Sequence, residues 1–288
     1  MGKSLFVAVA CLFSAPAVAS DVRHGGKLLL TDAVTSVEGA AGGGLATWAF
    51  VGGRATDAGI GGGAHATYVS TDDYDLTTYG AKLGLFDRLE ISVARQSFDT
   101  RAAGAALGLG RGFTFGQDLF GAKLRVVGDA LYDQNSWVPQ IAVGVQHKRA
   151  DEGAVIRAVG GAKRTGTDFY VAASKIILSE GVVLNATGRW TRANQFGLLG
   201  HGGDRERGRS FEVEASAGIL LSPSIIVGAE FRSKPNNLRF AREEDALDLF
   251  AAFAVQRNLT LTAAYVDLGS IATLDGQRGL FLSLQGSF

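Results

Sequence analysis

The chain has 288 residues, with 28 Lys and Arg against 28 Asp and Glu, 40 Gly, 4 Pro and a single Cys. A formal net charge of zero with only 19% charged side chains leaves no basic stripe to neutralise phosphates and excludes a nucleic-acid binder, while 47% hydrophobic residues exclude a disordered chain. Glycine is present at about twice its usual share, and since each interior Gly costs a helix roughly 1 kcal/mol against Ala, glycine spread this evenly argues for strands and turns.

The first element in chain order is an export signal at residues 1–19. Met1-Gly2-Lys3 is a basic start, Leu5 to Phe13 an apolar run, and Ala17-Val18-Ala19 a small-x-small site, which predicts Sec-type export with cleavage after Ala19. Cys11 leaves with that segment. Residues 20–288 then form a single domain with neither disulfides nor a Cys-ligated metal. No run of 18 apolar residues follows, so no transmembrane helix is expected.

Lys27–Ser36, Leu45–Arg54 and Gly61–Ser70 read as early strands, and on that reading no N-terminal plug domain precedes Lys27. Clear period-two alternation follows. Tyr79, Ala81, Leu83 and Leu85 alternate with Thr78, Gly80, Lys82 and Gly84. After a tight turn at Phe86–Arg88, Leu89, Ile91 and Val93 alternate with Glu90 and Ser92. The pattern returns at Phe120–Val126, Ile141–Val145, Val182–Trp190, Phe211–Ile219 and Leu259–Tyr265. Arg242–Val255 fits a helix nearly as well as a strand; its place between a long loop and a tight turn favours a strand.

Two all-β architectures produce such strands. A soluble sandwich would set Lys and Glu opposite the apolar face, whereas a membrane barrel sets small and polar residues there, facing its lumen. Gly, Ser, Thr and Gln dominate here, and a span of about 9–11 residues per strand suits a bilayer. Connections also alternate between short and long along nearly the whole chain, as periplasmic turns and outer loops do. Val127–Asn135 is rather long for such a turn and Thr71–Tyr74 rather short for such a loop. The expectation is a transmembrane antiparallel β-barrel of about 14 strands, or 12 if the first two fail. The final strand places Leu280, Leu282, Leu284 and Phe288 on one face and resembles the C-terminal signal through which outer-membrane barrels meet their assembly machinery.

Several stretches also resemble one family. Gly26–Thr31, Glu38–Gly44, Gly84–Arg88, Asn194–Gly200 and Tyr265–Gly269 are similar to Gram-negative proteobacterial proteins known only as a domain of unknown function. The resemblance covers essentially the whole mature chain. It implies an outer-membrane barrel and carries over no substrate and no functional residue.

Catalytic sets are poorly represented. None of His24, His65, His147 and His201 has a Ser two residues away, as a phospholipase-like strand would need. His201 with Asp204 reads as a solvated loop, Asp72-Asp73 as a polar turn, and Gly108–Gly112 as a flexible loop rather than a nucleotide site. No enzyme, cofactor or metal is expected. Alternation instead sorts Lys82, Lys123, Arg125, Arg189 and Arg232 into the lumen together with Glu90, Glu212, Glu214, Glu230 and Asp248. One expectation sets the late-strand acids across the bore from Lys82, Lys123 and Arg125, giving a transverse field as in diffusion porins. The other has these charges pair within the lumen and fill it. The functional readings are a porin-like passive channel for a small solute, a closed structural or adhesive barrel, and, last, an enzyme. Outer-membrane lipid is the expected surroundings in each case.

Overall fold

The computed structural model describes residues 26–32, 34–134 and 136–288; the expected signal peptide and His24 lie outside them. Twelve antiparallel strands close into one barrel. In chain order they are β1 (Ile60–Thr71), β2 (Asp75–Leu85), β3 (Leu89–Asp99), β4 (Thr114–Val127), β5 (Gln140–Ala150), β6 (Thr165–Ile177), β7 (Val182–Thr191), β8 (Ser210–Ser222), β9 (Ile225–Arg232), β10 (Ala246–Gln256), β11 (Leu259–Asp267) and β12 (Arg278–Ser287). Each pairs with its neighbour in the chain. β12 then returns to β1 in a register running from Gly279↔Thr71 to Ser287↔Gly63, so the wall has no open edge.

Alternation decides what each face meets. Tyr79 and Leu83 of β2, Ile91 and Val93 of β3, and Leu280, Leu282 and Leu284 of β12 point outward and are exposed, while Thr78, Lys82, Glu90, Ser92 and Gln96 of the same wall point inward and are buried. An apolar band outside and polar groups inside is the pattern of a barrel bathed in lipid. Near one rim, the Arg209 guanidinium lies 5.3 Å from the Phe169 ring and 5.5 Å from the Trp190 ring, a cation held over two outward aromatic rings. The ambiguous Arg242–Val255 segment is a strand, β10: Leu247, Leu249, Phe253 and Val255 are exposed and Ala246, Asp248, Phe250 and Ala252 buried.

One end of the barrel carries tight turns at residues 86–88, 178–181, 223–224 and 257–258, a longer connection at 128–139, and the C-terminus. The other end carries the long connections 100–113, 151–164, 192–209, 233–245 and 268–277, with only 72–74 short. Two short helices, α1 (Ala103–Ala106) and α2 (Gly153–Ala158), lie in these loops.

The count of 14 strands is corrected to twelve, the alternative named with it. Lys27–Ser36 and Leu45–Arg54 are not part of the wall. A wall strand must show one face to lipid, whereas every residue from 34 to 55 is buried. The segment enters the bore at the turn end and doubles back on a two-residue ladder of Val34–Thr35 with Ala41–Gly42. It leaves where the Arg54 N–H donates to the Phe288 carbonyl at 2.9 Å. The chain therefore supplies its own plug, formed by the stretch whose sequence reads as two early strands.

Candidate functional site: an occupied bore

Lys82, Glu90, Lys123, Arg189, Glu214, Glu230, Arg232 and Asp248 all occupy inward positions and are buried. Arg125 and Glu212 sit at opposite mouths. Arg125 meets Asp87 at 3.2 Å and Asp129 at 3.0 Å at the turn end, and Glu212 accepts from the hydroxyls of Ser210 and Ser233, each at 2.6 Å, at the loop end. Glu90 lies 3.2 Å from Lys123, and Glu214 lies 2.5 Å from Arg189 and 3.5 Å from Arg232. Acids therefore sit beside bases. Glu230 and Asp248, register partners on β9 and β10, are the exception and have no base within ion-pair distance among the described residues. The transverse field across an open bore is not what the geometry shows, because the plug fills the space between the walls.

The wall charges are satisfied largely by plug backbone. Glu90 accepts from the N–H groups of Ala41 (3.0 Å) and Gly52 (2.7 Å). Lys123 donates to the carbonyls of Ala41 (3.1 Å) and Trp48 (3.0 Å). Glu230 accepts from the Leu45 N–H at 2.7 Å and the Trp48 indole at 3.2 Å, and Glu214 accepts from the Thr47 N–H at 2.7 Å. A segment with almost no regular structure leaves its amides unpaired, and burying them is tolerable only where partners are supplied. Wall side chains supply them here. Glycine lets the backbone come close enough: a Cβ on Gly43 would lie 1.7 Å from a Glu230 carboxylate oxygen, and one on Gly52 would lie 2.5 Å from the Lys82 stem.

The plug also contributes one charge to the centre of the bore. Glu38 pairs with Lys148, meets Arg232 at 2.9 Å and stands 3.9 Å from Arg189. Burying a carboxylate is costly, and these three cations compensate it. Asp168, 3.0 Å from Lys148, extends the network into β6. Glu38, Lys148 and Asp168 escape the sequence reading. The last two were available as the polar partners of the alternating Val143, Val145 and Phe169. Glu38 was not, because nothing local separates a charge in a plug from one in a loop.

Above the plug, towards the loop end, the inward positions turn apolar. Val69, Leu76, Phe98 and Phe115 line a cavity of about 430 Å³ with Val37 and Leu45 of the plug as its floor. The reading of His201 with Asp204 as a solvated loop is corrected for the histidine, which is fully buried with neither ring nitrogen hydrogen-bonded among the described residues, while Asp204 is exposed and accepts from the Arg239 N–H at 3.0 Å. No cluster of potential metal ligands occurs among them either.

A family model matches residues 31–285. The chain belongs to the DUF3034 family, proteins of unknown function. Among solved structures, the DUF3034 barrel is similar to that of the KdgM porin in complex with disordered oligogalacturonate, with 8% identity, a TM-score of 0.53, and coverage of 78% of this chain and 99% of that one. It is similar also to the NanC porin, with 12% identity, a TM-score of 0.51, and coverage of 79% and 98%. No curated protein is significantly similar in sequence. At these identities the likeness is one of fold, and the fold is that of the outer-membrane porins.

Proposed function

We propose that this protein is an outer-membrane channel for small solutes whose bore is closed at rest by residues 26–56 and opens when that segment shifts. The observation that carries this reading is the identity of the filler. The bore is filled by a separate length of chain, held to the wall mainly by side-chain hydrogen bonds, and not by interdigitated wall residues that could never move aside. Short turns face the periplasm in such barrels, which puts the plug's entrance and exit on that side. The export signal at residues 1–19 and the terminal face of Leu280, Leu282, Leu284 and Phe288 belong to the same proposal, as the route to the membrane and to its assembly machinery.

The density of buried ion pairs around Glu38 favours a second reading, a barrel permanently closed for a structural role. Planar-bilayer recordings separate the two. The intact chain should give rare, brief openings, and a variant lacking residues 26–56 should conduct steadily. A folded, inserted variant with no conductance overturns the channel in favour of the structural barrel.

A further inference from the structure

Most charges of this bore are engaged with one another or with the plug, but the space above them is left open. The cavity beyond the plug is bounded below by Val37 and Leu45, at the sides by the strand-end residues Val69 and Phe98, and above by loop residues such as Leu109, Val155 and Phe196. No charged side chain lines it among the described residues.

Its few polar groups are already engaged with the protein. The Tyr74 hydroxyl donates to the Ile271 carbonyl (3.3 Å), the Thr100 hydroxyl to the Phe113 carbonyl (2.7 Å), the Gln96 amide to the Val37 carbonyl (2.7 Å), and the Gln195 amide to the Ser270 carbonyl (3.2 Å). A water needs two to four polar partners to settle in a cavity, and these walls offer few. Native interiors leave few voids larger than a water molecule. A volume of about 430 Å³ instead falls within the range of roughly 300–1,000 Å³ typical of small-molecule pockets, which are mostly apolar.

We infer that this cavity is a binding site for an uncharged, largely apolar small molecule, such as an aromatic hydrocarbon of two rings. Neutrality follows from the lining, since an ionised group would lose its hydration with no counter-charge to meet it. Aromatic character follows from Phe98, Phe115 and Phe196, whose rings favour edge and offset contacts with another ring. The site deepens the channel reading by naming its solute class, and rests on that reading only for the claim that the bound molecule is cargo. The molecule would sit directly on Val37, the residue preceding Glu38 at the centre of the plug's charge network.

Crystals of the intact protein soaked with 1-bromonaphthalene test the site by anomalous scattering from bromine. A peak between Val37, Phe98 and Phe196 is expected, and bromine confined to the outer apolar face overturns the proposal. Equilibrium dialysis of labelled naphthalene against the protein in nanodiscs, with empty nanodiscs subtracted, should show at least tenfold weaker binding for Val155→Trp and for Leu109→Trp. Both substitutions lie in loops and leave the wall intact, and heat-modified gel mobility reports that the barrel has folded. Binding unchanged in both folded variants overturns the site, and naphthoate binding as tightly as naphthalene overturns its neutrality. Bromine appearing in the cavity of crystals grown with a phospholipid brominated on its acyl chains, without naphthalene, would assign the space to lipid instead. None of these readouts requires conductance, so a barrel that binds but never conducts would overturn the channel and leave the site standing.

Discussion

Gly43 shows how narrow the tolerance of the plug is. With Glu230 oxygens occupying the place of a Cβ, Gly43→Ala should leave the barrel folded but unseat the segment around it. Overpacking of this kind costs about 1–3 kcal/mol, so the expected outcome is roughly a five- to hundredfold rise in the open fraction, read as bilayer conductance and as protease cleavage within residues 26–56. At the loop end, Glu243 accepts the Gln195 N–H with both oxygens, each at 3.0 Å, and its own N–H donates to Asn236 at 3.1 Å, tying two loops together. Burial raises this carboxyl from 4.5 to about 7, against the pull of Lys234. A folded-state value raised in this way stabilises the loops fully below the ordinary carboxylate range and loses that contribution as the pH rises through about 7. Hydrogen exchange of residues 192–209, corrected for intrinsic rate, should therefore show less protection at pH 8 than at pH 5.5. Glu243→Gln should abolish the difference.

The plug is the element in which sequence and structure part company. The wall strands were legible because lipid on one side and lumen on the other impose a strict period of two, visible in Tyr79 to Leu85 and again in Leu280 to Leu284. Residues 34–55 face neither medium. Their surroundings are protein on all sides, so Leu45, Trp48 and Phe50 are buried alongside Glu38 and Thr47, and the mixture mimics a weak strand. The glycines from 39 to 44 carried a trace of the answer, since their use is close backbone approach to the wall. The apolar cavity left a trace as well: Val69 follows Tyr68, and Phe98 continues the inward parity of Gln96, so hydrophobes occur on both parities near the loop end. The inward charges were legible as a set but not as pairs, because cross-strand register and the plug's path decide who meets whom. As a unit the plug depends on its one central acid. Glu38→Gln leaves Lys148, Arg189 and Arg232 short of a counter-charge, a loss of about 3–5 kcal/mol for a buried pair, and should release the segment to proteolysis while the barrel keeps its gel mobility.

On the scale of the whole molecule, the ion pairs that hold the plug, Glu38 with Lys148 and Arg232 foremost, lie inside the bore and out of the screening solvent, whereas Arg95–Asp118, Arg101–Asp75 and Arg278–Asp267 remain accessible to it. Raising KCl from about 0.1 to about 1 M shortens the Debye length from roughly 10 to 3 Å, which weakens exposed pairs far more than buried ones. The closed fraction in bilayers should therefore change little over that range. A steep rise in opening with salt would mean that solvent-exposed contacts, and not the network around Glu38, hold the plug.

The carbonyl of Phe288 receives the N–H of Arg54, where the plug leaves the bore, and the N–H of Gly62, where the first wall strand begins. One terminal residue thus fastens both the seam of the cylinder and the stopper within it. Losing the grip of that single carbonyl would therefore loosen the seam and the stopper together.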